Sequence, residues 1–246
     1  MKAGRMRFRG PLHALSDADR VQLLERAPVT DDMVRTTSEA VIDVVRRDGD
    51  TALISLAREY DKVRLTSLEV PRDAWTDALR SLDPSLRAAM ERAATNIRAV
   101  HVAALPQRVE IAPEPGIIVG RRPDPLHRIG VYAPGGRAAY PSSVLMGVIP
   151  ARVAGVAEVI ICAPPTSKGQ PETATLAAAE LSGADRVFAV GGAGAIAAMA
   201  YGTASIPRVD RIVGPGNAYV AQAKLLVSNV VGIDSPAGPS ELLIVA

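Results

Sequence analysis

Apolar and polar positions along the chain fall into two styles. From Ser16 to about His101, apolar residues recur every three or four positions, the spacing of one helix face. Ser16 with Asp19 forms a capping arrangement ahead of Val21, Leu23 and Leu24, and Thr30, Asp31 and Asp32 open a second helix. That helix carries Val34, Val41, Ile42, Val44 and Val45 and should stop near Asp48-Gly49. A third is expected from Asp50 to Glu59 with Leu53, Ile54 and Leu56 buried, after which Val63, Leu65 and Leu68 alternate like a short strand. Pro71 to Leu82 reads as a helix holding Trp75. Asp83-Pro84 starts a long one to about His101, with Leu86, Ala89, Met90, Ala93, Ile97 and Val100 on one face.

The style changes after a proline-rich stretch, Ala104 to Leu126, in which Ile117 to Gly120 can form a strand and Pro123-Asp124-Pro125 a connection. A boundary is expected near residue 127. Beyond it, continuous apolar runs alternate with helical segments. Ile129–Ala133, Glu158–Ala163, Arg186–Val190 and Asp210–Val213 read as strands. The helices between and after them are expected from Pro141 to around Pro150, Glu172 to Leu181, Ala195 to Tyr201 and Asn217 to Asn229. Strands of this kind belong to a parallel sheet covered on both faces, so the fold class is α/β, a Rossmann-like sheet preceded by a mostly helical segment.

Geometry then places candidate chemistry. In a parallel sheet every strand-to-helix turn lies on the carboxyl edge, where open sheets bind ligands. The glycine turns at 134–136, 191–194 and 214–216 therefore share one rim. Gly214-Pro215-Gly216 runs into Asn217, a good N-cap at a helix start suited to anionic or polar groups. Gly192-Ala193-Gly194-Ala195-Ile196-Ala197 also matches the dinucleotide fingerprint, and Asp210 follows at roughly the expected distance. Asp210, however, stands at the amino end of its strand, away from the ligand's side, so close helix-to-sheet packing explains these small residues better.

Composition narrows the classes. Apolar residues make up 48% and charged residues 22% of the 246, as in ordinary globular proteins. A net charge of +2 and only 3% aromatic residues argue against nucleic acid as the main partner. The basic run Lys2, Arg5, Arg7, Arg9 is short and interrupted by Met6 and Phe8, and reads as a solvated terminus. Cys162, the single cysteine, lies inside an apolar strand and reads as structural, which excludes an intrachain disulfide and a cysteine-rich metal site. No apolar run reaches membrane-spanning length, so no membrane association is expected and a cytoplasmic location is the default. Ser142 and Ser143 open a helix and could meet a ligand, although capping explains them equally.

An extended resemblance then emerges. Ile129-to-Gly136, Tyr140-Pro141-Ser142-Ser143-Val144-Leu145-Met146, Ile149-to-Val156, Val190-Gly191-Gly192-Ala193, Val209-to-Val220, and Val231-Gly232-Ile233-Asp234 with Ala237-Gly238-Pro239-Ser240-Glu241 together resemble histidinol dehydrogenase. Arg46-to-Leu53 and Asn96-Ile97-Arg98 are similar as well. The resemblance implies oxidation of L-histidinol to L-histidine by two hydride transfers to NAD, in a zinc-containing homodimer. It implies NAD contacts at Tyr132 and Asn217 and a substrate contact at Ser240. A third NAD position, normally glutamine after Gly-Gly-Ala, is Gly194 here, which removes a side-chain amide.

The implied organisation is a helical first segment over 1–127, part of an incomplete α/β domain, an NAD-binding Rossmann-like domain over 128–236, and a return to the first domain beginning at 237–246. The family's catalytic residues and zinc ligands are expected in sequence beyond Ala246. His13, His101 and His127 are not at motif positions. The expectation is thus an N-terminal portion of the enzyme, inactive alone. The alternative is a non-catalytic nucleotide-binding or interaction module.

Overall fold

The structure is a computed structural model that describes residues 11–24, 32–136 and 138–235. The basic run of the first residues, Thr30, Asp31, Ser240 and segment 237–246 lie outside the described residues.

Local chemistry sets the helix ends. Before α1 (Asp17–Leu24), the Ser16 hydroxyl accepts from the Asp19 N–H at 3.1 Å and donates to the Asp19 carboxylate at 2.7 Å, the expected cap. The second helix, α2 (Asp32–Asp48), buries Val34, Ser38, Ile42 and Val45 and stops at Gly49. α3 (Asp50–Leu56) does not continue to Glu59 as an ordinary helix but widens into a π turn over Ala57–Asp61. Lys62 closes that turn in the left-handed conformation, and its Nζ donates to the Glu59 carbonyl at 2.7 Å. α4 (Arg72–Ser81) follows Pro71 and buries Trp75, whose indole N–H donates to the Val70 carbonyl at 3.1 Å. α5 (Pro84–Ala103) starts at Asp83, which accepts from the Ser85 and Leu86 N–H groups at 2.9 and 3.2 Å.

The proline-rich stretch forms a hairpin of β1 (Val109–Glu114) and β2 (Ile117–Arg121), the first of which the sequence pattern did not announce. Next come β3 (Arg128–Tyr132), α6 (Pro141–Val153), β4 (Glu158–Ala163), α7 (Thr173–Ser182), β5 (Arg186–Ala189) and α8 (Gly192–Tyr201). The described part ends with β6 (Arg211–Val213), α9 (Ala218–Val227) and a short fifth strand, β7 (Gly232–Ile233), not anticipated from the pattern. α6 passes through Pro150 instead of ending there. The proline deprives the Met146 carbonyl of its helical donor, and Met146 stands on an exposed face where water can replace it.

β3 to β7 make one parallel sheet in the order β5-β4-β3-β6-β7. Counted from β3, this is the doubly wound order third, second, first, fourth, fifth. α6 and α7 pack together on one face, with α4 and α5 outside them, while α8 and α9 pair on the other, with α2 and α3 against them. The N-terminal helices thus clasp both faces of the sheet. Val63, Leu65 and Leu68 are buried, yet they form no strand of their own. Instead Leu68–Val70 lies antiparallel along β5, with Val70 N–H to Val187 O at 2.8 Å and Ala189 N–H to Leu68 O at 2.7 Å. That contact covers an edge that would otherwise pair with other chains. Buried apolar residues form one continuous cluster from Ile42 to Val231.

The expected apolar face of α5 is only partly used. Met90 is buried and Ala93 and Ile97 pack on the core, but Leu86 and Val100 are exposed. Among the described residues, no helix is long and apolar enough to cross a membrane.

Candidate functional site

Strand order reverses between β3 and β6, and at such a point the loops leaving the two carboxyl ends diverge and open a crevice. Val131 of β3 pairs with Val213 of β6, so Tyr132 and Gly214 meet at its base. Gly214 has φ +115°, and a Cβ there would lie 2.1 Å from the Tyr132 carbonyl oxygen. Only glycine lets the two loops approach this closely.

Buried charge fixes this turn. Lys224, on α9 with 7% of its side chain exposed, donates from Nζ to the Gly214 carbonyl at 2.5 Å and to Asp234 Oδ1 at 2.6 Å. The other Asp234 oxygen accepts from the Gly214 N–H at 2.8 Å. Both backbone polar groups of Gly214 are therefore held by a charge-assisted network. Asn217 caps α9 as expected, its Oδ1 accepting from the Val220 N–H at 3.1 Å. Its amide NH2, exposed at the rim, remains to donate.

The turn separates two clefts. The first, of about 440 Å³, is walled by Tyr132, the prolines after β4, the loop Val190–Gly194 and Asn217. α2, α3 and the π turn close it from above with Thr37, Ser38, Leu53, Leu56, Tyr60 and Asp61. The second, of about 420 Å³, lies between the starts of α6 and α9 and includes Ser143, Gly216, Lys224 and Asp234.

Three residues singled out in the sequence, Tyr132, Gly194 and Asn217, line the first cleft together. Tyr132 is almost wholly buried, and its hydroxyl oxygen accepts from the Gly192 N–H at 3.1 Å. Burial pushes its ionisation up to about 12, so the hydroxyl stays protonated and has its hydrogen to give. Gly194 lies in the first turn of α8, where backbone N–H groups lack helical partners. A Cβ on it would sit 3.3 Å from Leu53 Cδ2 and Leu56 Cδ1, so α3 packs closely over a position without a side chain.

Other candidates are placed elsewhere. Asp210 receives the Arg128 N–H at 2.8 Å on the amino side of the sheet, a structural role that leaves the apparent dinucleotide fingerprint without its acid. Cys162 is fully buried, and burial drives its thiol ionisation upward. His13, His101 and His127 are exposed. Among the described residues, no group of three or more His, Cys, Asp or Glu side chains is placed to hold a metal.

Asp61, Lys224 and the structural role of Asp234 stand outside the residues expected from the sequence. Lys224 carried a signal, a lysine between Ala223 and Leu225 in an apolar helix. Asp61 carried none, since only the π turn brings it to the cleft. Burial lifts its carboxyl to about 6, and no donor among the described residues offsets that.

Fold and cleft together define a doubly wound α/β protein with an open cleft at its topological switch point. Comparison with known proteins makes this specific, because residues 24–246 match the family model for histidinol dehydrogenase. The chain belongs to the histidinol dehydrogenase family. It is 48% identical over 236 residues to the histidinol dehydrogenase of Methanosarcina barkeri, covering 96% of this chain and 54% of that protein. The enzyme of Nitrosomonas europaea is 49% identical over 227 residues, covering 91% and 52%. The crystal structure of histidinol dehydrogenase from Elizabethkingia anophelis superposes with a TM-score of 0.84 at 35% identity, covering 92% of this chain and 52% of that one. The chain spans about half the length of the curated relatives it matches.

Proposed function

We propose that this chain holds NAD for a histidinol dehydrogenase, with L-histidinol as the substrate and a homodimer as the working assembly of the whole enzyme. The observation that supports it is the convergence of Tyr132, Gly194 and Asn217 on the first cleft at the switch point.

The cleft suits a dinucleotide chemically. Its lining offers donors, namely the Tyr132 hydroxyl, the Asn217 amide and the first-turn N–H groups of Ala193 and Gly194 in α8, which suit acceptor-rich groups such as a diphosphate or a carboxamide. Tyr132 acts here as a donor and not as a base, because its proton is not released near neutrality. Gly194 contributes backbone only, where the family resemblance leads one to expect a glutamine amide. Bound NAD would supply the acceptor for hydride removed from the alcohol carbon. Ser240 is proposed to contact substrate.

The described residues do not fit zinc, and no step is assigned to a metal. Cofactor holding, rather than the whole oxidation, is the role we assign to this chain. Calorimetric titration should show NAD binding, while NADH formation from L-histidinol with added zinc should stay at the blank. Turnover by the pure chain contradicts the division of labour. Absence of NAD binding contradicts the assignment and leaves an interaction module.

A further inference from the structure

Doubly wound dinucleotide sites need an acceptor as well as donors, because the cofactor carries ribose hydroxyls that donate. In such sheets an acidic residue about 20 residues beyond the first glycine turn receives them. This sheet has no acid there. β4 ends in Ala163 and continues through Pro164-Pro165, which wall the cleft without offering a side-chain acceptor.

A carboxylate reaches the same cleft from another element. Asp61, last residue of the π turn, is the only acidic residue lining it among those described. It is half-buried, has no ion-pair or hydrogen-bond partner among the described residues, and lies within electrostatic reach of Tyr132. A carboxylate kept partly out of water with nothing donating to it is placed at a cost that a ligand can offset. The other ionisable side chains lining the cleft are the phenols of Tyr60, Tyr132 and Tyr219, and neighbouring Lys62 turns its ammonium to the Glu59 carbonyl.

We propose that Asp61 accepts the hydroxyls of a ribose diol of the bound dinucleotide, in place of the strand-end acid that this sheet lacks. The inference rests on the NAD reading above. It assigns the N-terminal helical segment a direct share in cofactor recognition, in addition to packing on the sheet.

The test is a thermodynamic cycle by calorimetry on the full chain, using NAD, NAD lacking the 2′-hydroxyl of the adenosine ribose, and NAD lacking that of the nicotinamide ribose, each against wild type and Asp61→Asn. Wild type should bind NAD about tenfold more tightly than Asp61→Asn, the scale of a hydrogen bond to a charged group. One of the two deoxy cofactors should be weakened on wild type but bind Asp61→Asn as well as NAD does, and which one it is names the ribose. Losses that simply add for both deoxy cofactors overturn the proposal, as does equal binding of NAD by both proteins, and in either case the NAD reading stands. No binding of NAD to wild type removes that reading and this inference together. Should Asp61→Asn fold poorly, the wild-type titration decides alone: NAD affinity must fall between pH 7.5 and 5.5 as the carboxylate protonates, and a flat profile contradicts the proposal.

Discussion

The two clefts beside the Gly214–Asn217 turn have nearly the same volume, about 440 and 420 Å³, but they use polar groups in opposite ways. In the second, the charged groups serve the fold. Lys224 and Asp234 neutralise each other and pin both backbone groups of Gly214. In the first, Asp61 has no partner among the described residues, and Tyr132 and Asn217 each keep hydrogens to donate. One side of the turn is closed upon itself, and the other is left with chemistry that a ligand would complete. Cleft size alone does not make this distinction, whereas hydrogen-bond accounting does.

That contrast can be broken from either side. The largest effect is expected for Asp234→Ala, which strands the Lys224 ammonium with 7% of its side chain exposed. Breaking such a pair costs about 3 kcal/mol, and because Asp234 is itself a third exposed we expect the lower figure of about 2 kcal/mol in urea unfolding. NAD binding should weaken as well, since the turn carrying Asn217 loses its anchor. Tyr132→Phe comes next. It leaves the Gly192 N–H without its acceptor, for about 1 kcal/mol of stability, and removes one donor from the cleft, so calorimetry should show NAD binding several-fold weaker.

Asp61→Asn should move stability in the other direction. The folded carboxyl titrates near 6 instead of 3.8, so the folded state binds the extra proton between those values and the group opposes folding above pH 6. Discounted for its partial exposure, the shift amounts to about 1 kcal/mol. Thermal unfolding should therefore find Asp61→Asn more stable than wild type at pH 7.5, with the difference gone near pH 4. A gain in stability joined to a loss of NAD affinity is the signature of a residue kept for a ligand. The smallest effect is expected for Gly194→Gln. Helix propensity favours it by about 0.5 kcal/mol, crowding against the ends of Leu53 and Leu56 opposes it, and the net change in melting should be slight while NAD affinity rises.

Much of this architecture is legible in the sequence because burial on both faces writes a strand as a continuous apolar run. Val159 to Ala163 is buried throughout, and β4 spans the residues the pattern gives. Rim turns were equally readable, since Gly135, Gly192 and Gly214 stand where strands end. Apolar runs mislead where nothing covers them. Ile117, Ile118 and Val119 read as a strand and are one, but an exposed one in an isolated hairpin. The helical spacing along α5 likewise promised a buried face that α6 covers only in part. Site residues divide in the same manner. Tyr132, Gly194 and Asn217 lie within local motifs, whereas Asp61 becomes a cleft residue only through a π turn and the packing of α2 and α3 over the sheet. No local pattern carries that information.

The central claim is that NAD occupies the first cleft and not the second. Amide hydrogen exchange with and without NAD addresses it directly, because each cleft has its own backbone. Slowed exchange is predicted at Tyr132–Gly136, Gly191–Gly194 and the π turn Ala57–Asp61, with Ser143–Gly147 unchanged. Protection confined to Ser143–Gly147 and the start of α9, or none at all at saturating NAD, would contradict the account.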